Sequence, residues 1–290
     1  MKQLIFKTLA LAALITSAST AFAQQAWLYQ SPEVWAAWQQ GYRGQNTVIN
    51  IHDDFTTVDG FNHGSWTSWF AATTAPSASV VGHQYGGQAI VGITPNKLNI
   101  FNLSYGMYST GGSGTYVAST EAIIGYAQKG QAVIAKAAGN DAVPVGQAAG
   151  AAANYPSTIG KIDGLAVRLA GQPSAILVGA LSKNGTTANP ASMASYSNTA
   201  GTSPVVQRNF LVVGVDTSTN GNHAGTSYAA PIVAGYAAIL GSKFTTASAT
   251  AVTNQLLNTA RTDTVAGYNP ATYGRGEASI TRALAPASIR

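Results

Sequence analysis

The sequence predicts an α/β protein built on a mainly parallel β-sheet. Short runs rich in Val, Ile and Leu alternate along the chain with longer segments whose apolar residues recur at helical spacing. No internal repeat and no shift of composition divides the chain after residue 23, so one large domain is expected over residues 24–290.

The elements follow in order. Ser31 and Pro32 open a short helix over residues 31–35, the serine as N-cap and the proline in the first turn, where its missing N–H costs nothing. Residues 47–51 (Thr-Val-Ile-Asn-Ile) read as a strand, 63–72 as a helix, and 77–81 and 99–103 as two further strands. Residues 82–87 (Gly-His-Gln-Tyr-Gly-Gly) read as a turn. Residues 116–129 have helical apolar spacing and stop at Gly130. Strands are expected over 131–135, 174–181 and 210–213, and the Gly-, Ala- and Pro-rich stretch 142–153 is expected as a loop. Residues 227–240 are apolar, rich in small residues and long enough for a buried helix; 250–260 form another.

The N-terminus carries a different signal. Lys2 and Lys7 precede the apolar run 8–15, and Ala21-Phe22-Ala23 closes it, the pattern of a cleavable signal peptide over residues 1–23. The run is too short for a membrane anchor, so the protein is expected to be secreted or periplasmic. With no cysteine, disulfides and thiolate metal sites are excluded. Only 9% of residues are charged, against roughly 25% in average soluble proteins, and the basic residues form no cluster, so nucleic acid is not an expected partner. Carboxylates are too scattered for a calcium cage, so no metal is expected, and nothing implies a cofactor.

Four histidines, His52, His63, His83 and His223, are available as a base. A serine candidate stands in Gly225-Thr226-Ser227-Tyr228-Ala229-Ala230-Pro231-Ile232-Val233-Ala234-Gly235, where a tight turn feeds Ser227 into the start of the long apolar helix. Unpaired N–H groups and partial positive charge at a helix start suit a developing oxyanion. Ser227 as a helix cap is the plainer use of the same residue.

This segment resembles the nucleophile motif of subtilisin-like serine proteases, Gly-Thr-Ser-x-Ala-x-Pro-x-Val-Ala-Gly. Four further stretches resemble the same family in order: residues 47–53, the strand that ends on the catalytic aspartate; Asn102-Leu103-Ser104-Tyr105-Gly106, the substrate-binding strand; Ala137-Ala138-Gly139-Asn140, the oxyanion-hole segment; and Tyr273-Gly274-Arg275-Gly276 with Ala283-Leu284-Ala285-Pro286, the closing segment. The resemblance implies a three-layer subtilisin-like fold, a mainly parallel central sheet flanked by helices. It also implies a secreted serine endopeptidase, monomeric and without cofactor, acting on a peptide or protein substrate. Alternatives on the same residues are an inactive peptide-binding relative and an esterase or amidase.

The resemblance assigns Asp53, His63 and Ser227 as triad and Asn140 as oxyanion donor. Ser104, Tyr105 and Gly106 would pair with substrate, and with Ala137, Ala138 and Gly139 would wall the pocket for the residue before the cut. Those small walls leave room for a bulky apolar group without fixing a preference. Chain order agrees: no histidine follows Ser227, so a histidine base lies upstream, and Gly-x-Ser-x-Gly is absent. His63 is preferred because His63-Gly64-Ser65 resembles the family's helix start, whereas His83 stands in the turn-like stretch; its more usual spacing from Asp53 keeps it as the alternative. Asp54 is the alternative to Asp53, since neighbours on a strand point to opposite faces. His52 and His223 are expected to be structural or substrate-side.

Overall fold

The computed structural model describes residues 31–151, 153 and 155–290; the expected signal peptide lies outside the described residues. A six-stranded, all-parallel sheet forms the centre. Its strands are β1 (Thr47–Asp53), β2 (Ser79–Gln84), β3 (Leu98–Leu103), β5 (Val133–Ala137), β7 (Ala175–Leu181) and β8 (Phe210–Gly214), in spatial order β2-β1-β3-β5-β7-β8. A two-stranded antiparallel ribbon, β4 (Tyr108–Ser109) with β6 (Ile162–Asp163), sits apart from it.

Strand alternation divides the core in two. Ile49, Ile51, Ile100, Val133, Ala135, Ile176, Val178, Leu211 and Val213 point to one face, while Phe101, Leu103, Ile134, Leu177, Phe210 and Val212 point to the other. Helices cover both faces, as an all-parallel sheet requires. The first face carries α1 (Pro32–Gln39), α2 (His63–Thr74), α6 (Thr226–Lys243), α7 (Ala249–Asn258) and α9 (Ile280–Leu284). The second carries α3 (Ala118–Gln128), α4 (Gly164–Leu169) and α5 (Pro204–Asn209), with the short α8 (Pro270–Tyr273) beside β8. Helix α6 crosses β1, β3, β5, β7 and β8 and is buried almost throughout, which explains why it is apolar on every side. Its glycines let neighbours approach closely: a Cβ on Gly235 would lie 2.5 Å from the Thr74 side chain of α2.

Two expected boundaries move. The strand read over 77–81 runs instead over Ser79–Gln84, because β1 pairs with it as far as His52↔His83 and Asp53↔Gln84. Gly82 marks no turn; it makes room for Phe55, whose Cζ would lie 2.5 Å from a Cβ there. The strand read over 131–135 becomes Val133–Ala137, since the Gln131 N–H still serves the end of α3, donating to Tyr126 O at 2.9 Å.

The connections position the site. The chain leaves β1, adds β2 on one side, then crosses to β3 on the other, so a crevice opens where the strand order reverses, at the C-terminal ends of β1 and β3.

Candidate active site

Asp53 ends β1 and is buried; its carboxylate accepts three hydrogen bonds. His63 donates its Nδ1–H to Oδ1 at 2.7 Å, the Asp54 N–H donates to the same oxygen at 2.7 Å, and the Thr67 hydroxyl donates to Oδ2 at 2.8 Å. His63 and Thr67 are neighbours on the first turns of α2, four residues apart and so on one helix face, which lets one carboxylate hold both. Asn62 caps that helix, accepting from the Ser65 N–H at 2.8 Å.

Ser227 enters from α6. Gly225 precedes the helix with φ 146°, a backbone conformation that side-chain-bearing residues rarely adopt. Pro231, one turn beyond Ser227, has no N–H, so the Ser227 carbonyl lacks its intrahelical donor. The Ser104 hydroxyl, just past β3, supplies one at 2.8 Å, and the Ser227 hydroxyl donates back to the Ser104 carbonyl at 3.0 Å. Asn102 secures Ser104 through Nδ2 to Oγ at 2.9 Å. The nucleophile candidate is thus tied to Ser104 by a reciprocal pair of hydrogen bonds, one of them to the carbonyl that the proline leaves free.

Asn140 follows β5. Its amide oxygen accepts from both the N–H and the hydroxyl of Thr226, at 2.8 and 2.9 Å. Because the oxygen is committed there, the NH₂ is the end that can donate elsewhere. His63, Asn140 and Ser227 line one cavity of about 180 Å³, together with Ser104, Tyr105, Gly106, Ala137 and Gly139. Ala138 differs from expectation: it packs into the second core cluster with Ala132 and Ile134, which alternation places on its face, and is not among the residues that line the cavity. Chemically, a carboxylate-held imidazole sharing a cavity with a serine hydroxyl at a helix start suits nucleophilic catalysis.

The alternatives lie elsewhere. Asp54 accepts from Gln84 Nε2 at 3.0 Å and from the Thr56 N–H at 2.9 Å, and these bonds hold its carboxyl below the usual range. His83 meets Asn50 Oδ1 at 3.0 Å and lines a separate cavity beside β2. His52 meets the Tyr105 hydroxyl at 2.8 Å; burial, and then the neighbouring His83, push its pKa down to about 4. His223 lies against Trp66, ring centroids 4.0 Å apart.

Sequence reasoning missed Tyr108, Lys136, Tyr155 and Thr226 in the cavity wall. Lys136 left a trace, a lone charge inside an apolar strand; it is buried and pairs with Asp163 Oδ2 at 2.8 Å. Tyr108 changes the expected shape, because its ring fills space that small walls were expected to leave open. Among the described residues, no group of three or more His, Asp or Glu side chains could hold a metal ion, and no helix is long and apolar enough to cross a membrane.

These are the parts of a serine-type hydrolase on a doubly wound sheet. The subtilase family model matches residues 48–276, most of the chain, and the chain belongs to that family of serine-type peptidases. Among solved structures, the prenylagaramide maturation protease PagA is similar with a TM-score of 0.56 at 16% identity, over 88% of this chain and 98% of its own. MycP3 protease, from a type VII (ESX-3) secretion system, is similar with a TM-score of 0.55 at 18% identity, over 87% of this chain and 85% of its own. A lanthipeptide protease is similar with a TM-score of 0.53 at 17% identity, over 85% of this chain and 89% of its own. At such identities these likenesses speak for the fold alone. No match was found among curated proteins.

Proposed function

We propose that this subtilase is an exported endopeptidase that cleaves peptide bonds through an acyl-enzyme, with Asp53, His63 and Ser227 as triad. The observation that carries the reading is the buried Asp53 carboxylate holding His63 at 2.7 Å in the cavity that Ser227 shares. His63 takes the Ser227 proton as Oγ bonds to the scissile carbonyl carbon, and the carbonyl electrons move onto oxygen. The Asn140 NH₂ and the Ser227 N–H meet that oxyanion. Collapse breaks the C–N bond, and His63 returns the proton to the leaving amine. Water, deprotonated in turn by His63, then releases the acid. Substrate runs extended along Ser104, Tyr105 and Gly106, pairing through its main chain. Export is supported by the basic start, apolar run and Ala-x-Ala ending of residues 1–23.

A fluorophosphonate probe followed by mass spectrometry tests the assignment. Label should sit on Ser227, and Ser227→Ala should abolish both labelling and peptide hydrolysis while leaving circular dichroism unchanged. His63→Ala should lower turnover by about three orders of magnitude or more, whereas His83→Ala should leave it near normal. Label on another serine, or a dead His83→Ala beside an active His63→Ala, would overturn the triad.

A further inference from the structure

The pocket beside Ser227 is not empty between its glycine walls. Gly106, just past β3, and Gly139, just past β5, each lack a Cβ, and the ring of Tyr108 spans the space between them. A Cβ on Gly106 would overlap Cε2 of Tyr108 and lie 2.9 Å from Cζ, and a Cβ on Gly139 would lie 3.5 Å from the Tyr108 hydroxyl. Both glycines and Tyr108 line the cavity that holds His63, Asn140 and Ser227.

The ring is fixed at both ends. Its backbone is strand β4, paired with β6 as Tyr108↔Asp163. Its hydroxyl donates to Asp141 Oδ2 at 3.1 Å, and Asp141 is buried and held in turn by Thr158 Oγ1 at 3.0 Å and by its own N–H on Asn198 Oδ1 at 3.0 Å. Burial, and then Asp163 nearby, raise the Tyr108 pKa, so the phenol stays a neutral donor. The buried Lys136–Asp163 pair stands beside the ring: Lys136 lines the same cavity, and Asp163 Oδ2 would lie 3.1 Å from a Gly106 Cβ. An apolar side chain pushed deeper would have to displace the ring from its hydrogen bond and then face an ion pair, both unfavourable.

We propose that Tyr108 sets the specificity of the cut, restricting the residue on the N-terminal side of the scissile bond to small side chains such as Ala, Gly or Ser. This rests on the peptidase reading above. A carbonyl poised between Ser227 and Asn140 directs the side chain of its own residue into the cavity walled by Gly106, Ala137 and Gly139, and the tyrosine ring stands where an aromatic or long aliphatic substrate group would lie. Removal of the ring vacates a space of phenol shape between two glycines, which a substrate Phe or Tyr then fills.

The test is a series of peptides identical except for that residue (Ala, Leu, Phe), with kcat/KM measured per molecule of enzyme titrated by a fluorophosphonate that carries no amino-acid side chain. Wild type should prefer Ala over Phe by about ten-fold or more, the size expected when a pocket must reject extra bulk. Tyr108→Ala should raise the Phe/Ala ratio at least ten-fold, and Tyr108→Leu, a milder change for folding, should raise it by less; Tyr108→Phe keeps the ring and should keep the preference for Ala. A wild type that cuts after Phe as readily as after Ala overturns the proposal without any variant. So does an unchanged ratio in Tyr108→Leu. Failure of the probe to label Ser227 at all would instead remove the peptidase reading, so the two failures are distinct.

Discussion

Asn140 makes its case through timing. Its amide oxygen is spent on Thr226, and on the proposed mechanism its NH₂ is needed only once negative charge grows on the substrate oxygen. Asn140→Leu, close in size, should therefore lower kcat and leave KM nearly unchanged. The expected loss is about 10²–10³ in kcat, the cost of one such donor in enzymes of this family. Measured against probe-titrated enzyme, an unchanged kcat with reduced folding yield would reduce Asn140 to a turn residue after β5. At this scale local structure is legible where a contiguous motif spells it out. Gly225 to Gly235 carries its own helix start, and Asn140 follows a strand. The direction of a side chain just past a strand is not legible in this way: Ala138, beyond the end of β5, packs into the core. Tyr108 was invisible because its place depends on a two-residue strand whose partner, Asp163, is far along the chain.

Between elements, the distance that matters is the one between α2, which carries His63, and α6, which carries Ser227. Gly235 and Thr74 set it, since a Cβ at 235 would stand 2.5 Å from Thr74 Cβ and Cγ2. Gly235→Ala should cost about 1–3 kcal/mol in urea unfolding, the usual penalty of an extra methyl in a packed interior, and should lower kcat as the helices part. Gly125→Ala in α3 is the matched control: nothing lies within 4 Å of the added Cβ, so it should stabilise by roughly 0.5–1 kcal/mol through helix propensity. Equal effects at the two sites would mean that helix propensity, and not the α2–α6 contact, governs both. The main elements themselves were legible: β1, β3, β7, β8 and α6 lie within a few residues of where β-branched runs and helical apolar spacing place them. β2 and β5 shifted because glycine at residue 82 serves packing and Gln131 serves a helix end, two uses that local propensity does not register.

For the molecule as a whole, the sheet contains a built-in acid sensitivity. His52 lies buried in β1 beside Asp53; burial and His83 hold its pKa near 4 against an ordinary value of 6.5, with Asp53 opposing. The unfolded chain therefore takes up a proton near pH 6.5 and the folded one only near 4. Stability is fully present above the first value and falls as pH drops through that window. Half-buried His83, shifted down by its partial burial, adds in the same direction. Thermal unfolding of the Ser227→Ala protein, which on the proposed mechanism cannot digest itself, should show Tm declining between about pH 6.5 and pH 4. His52→Gln, which can still meet the Tyr105 hydroxyl, should flatten that decline by a few degrees. An equal slope in both proteins would place the sensitivity elsewhere.

The hydrogen bonds between Ser104 and Ser227 join residues 123 apart in the chain. Asp53 and His63 are made early, and Ser227 arrives only with α6, the helix on which the sheet closes. During synthesis, a nascent chain that has emerged only as far as β8 holds Asp53 and His63 but neither Ser227 nor the helix that carries it, so on the proposed triad it has no nucleophile and should leave a peptide substrate uncut.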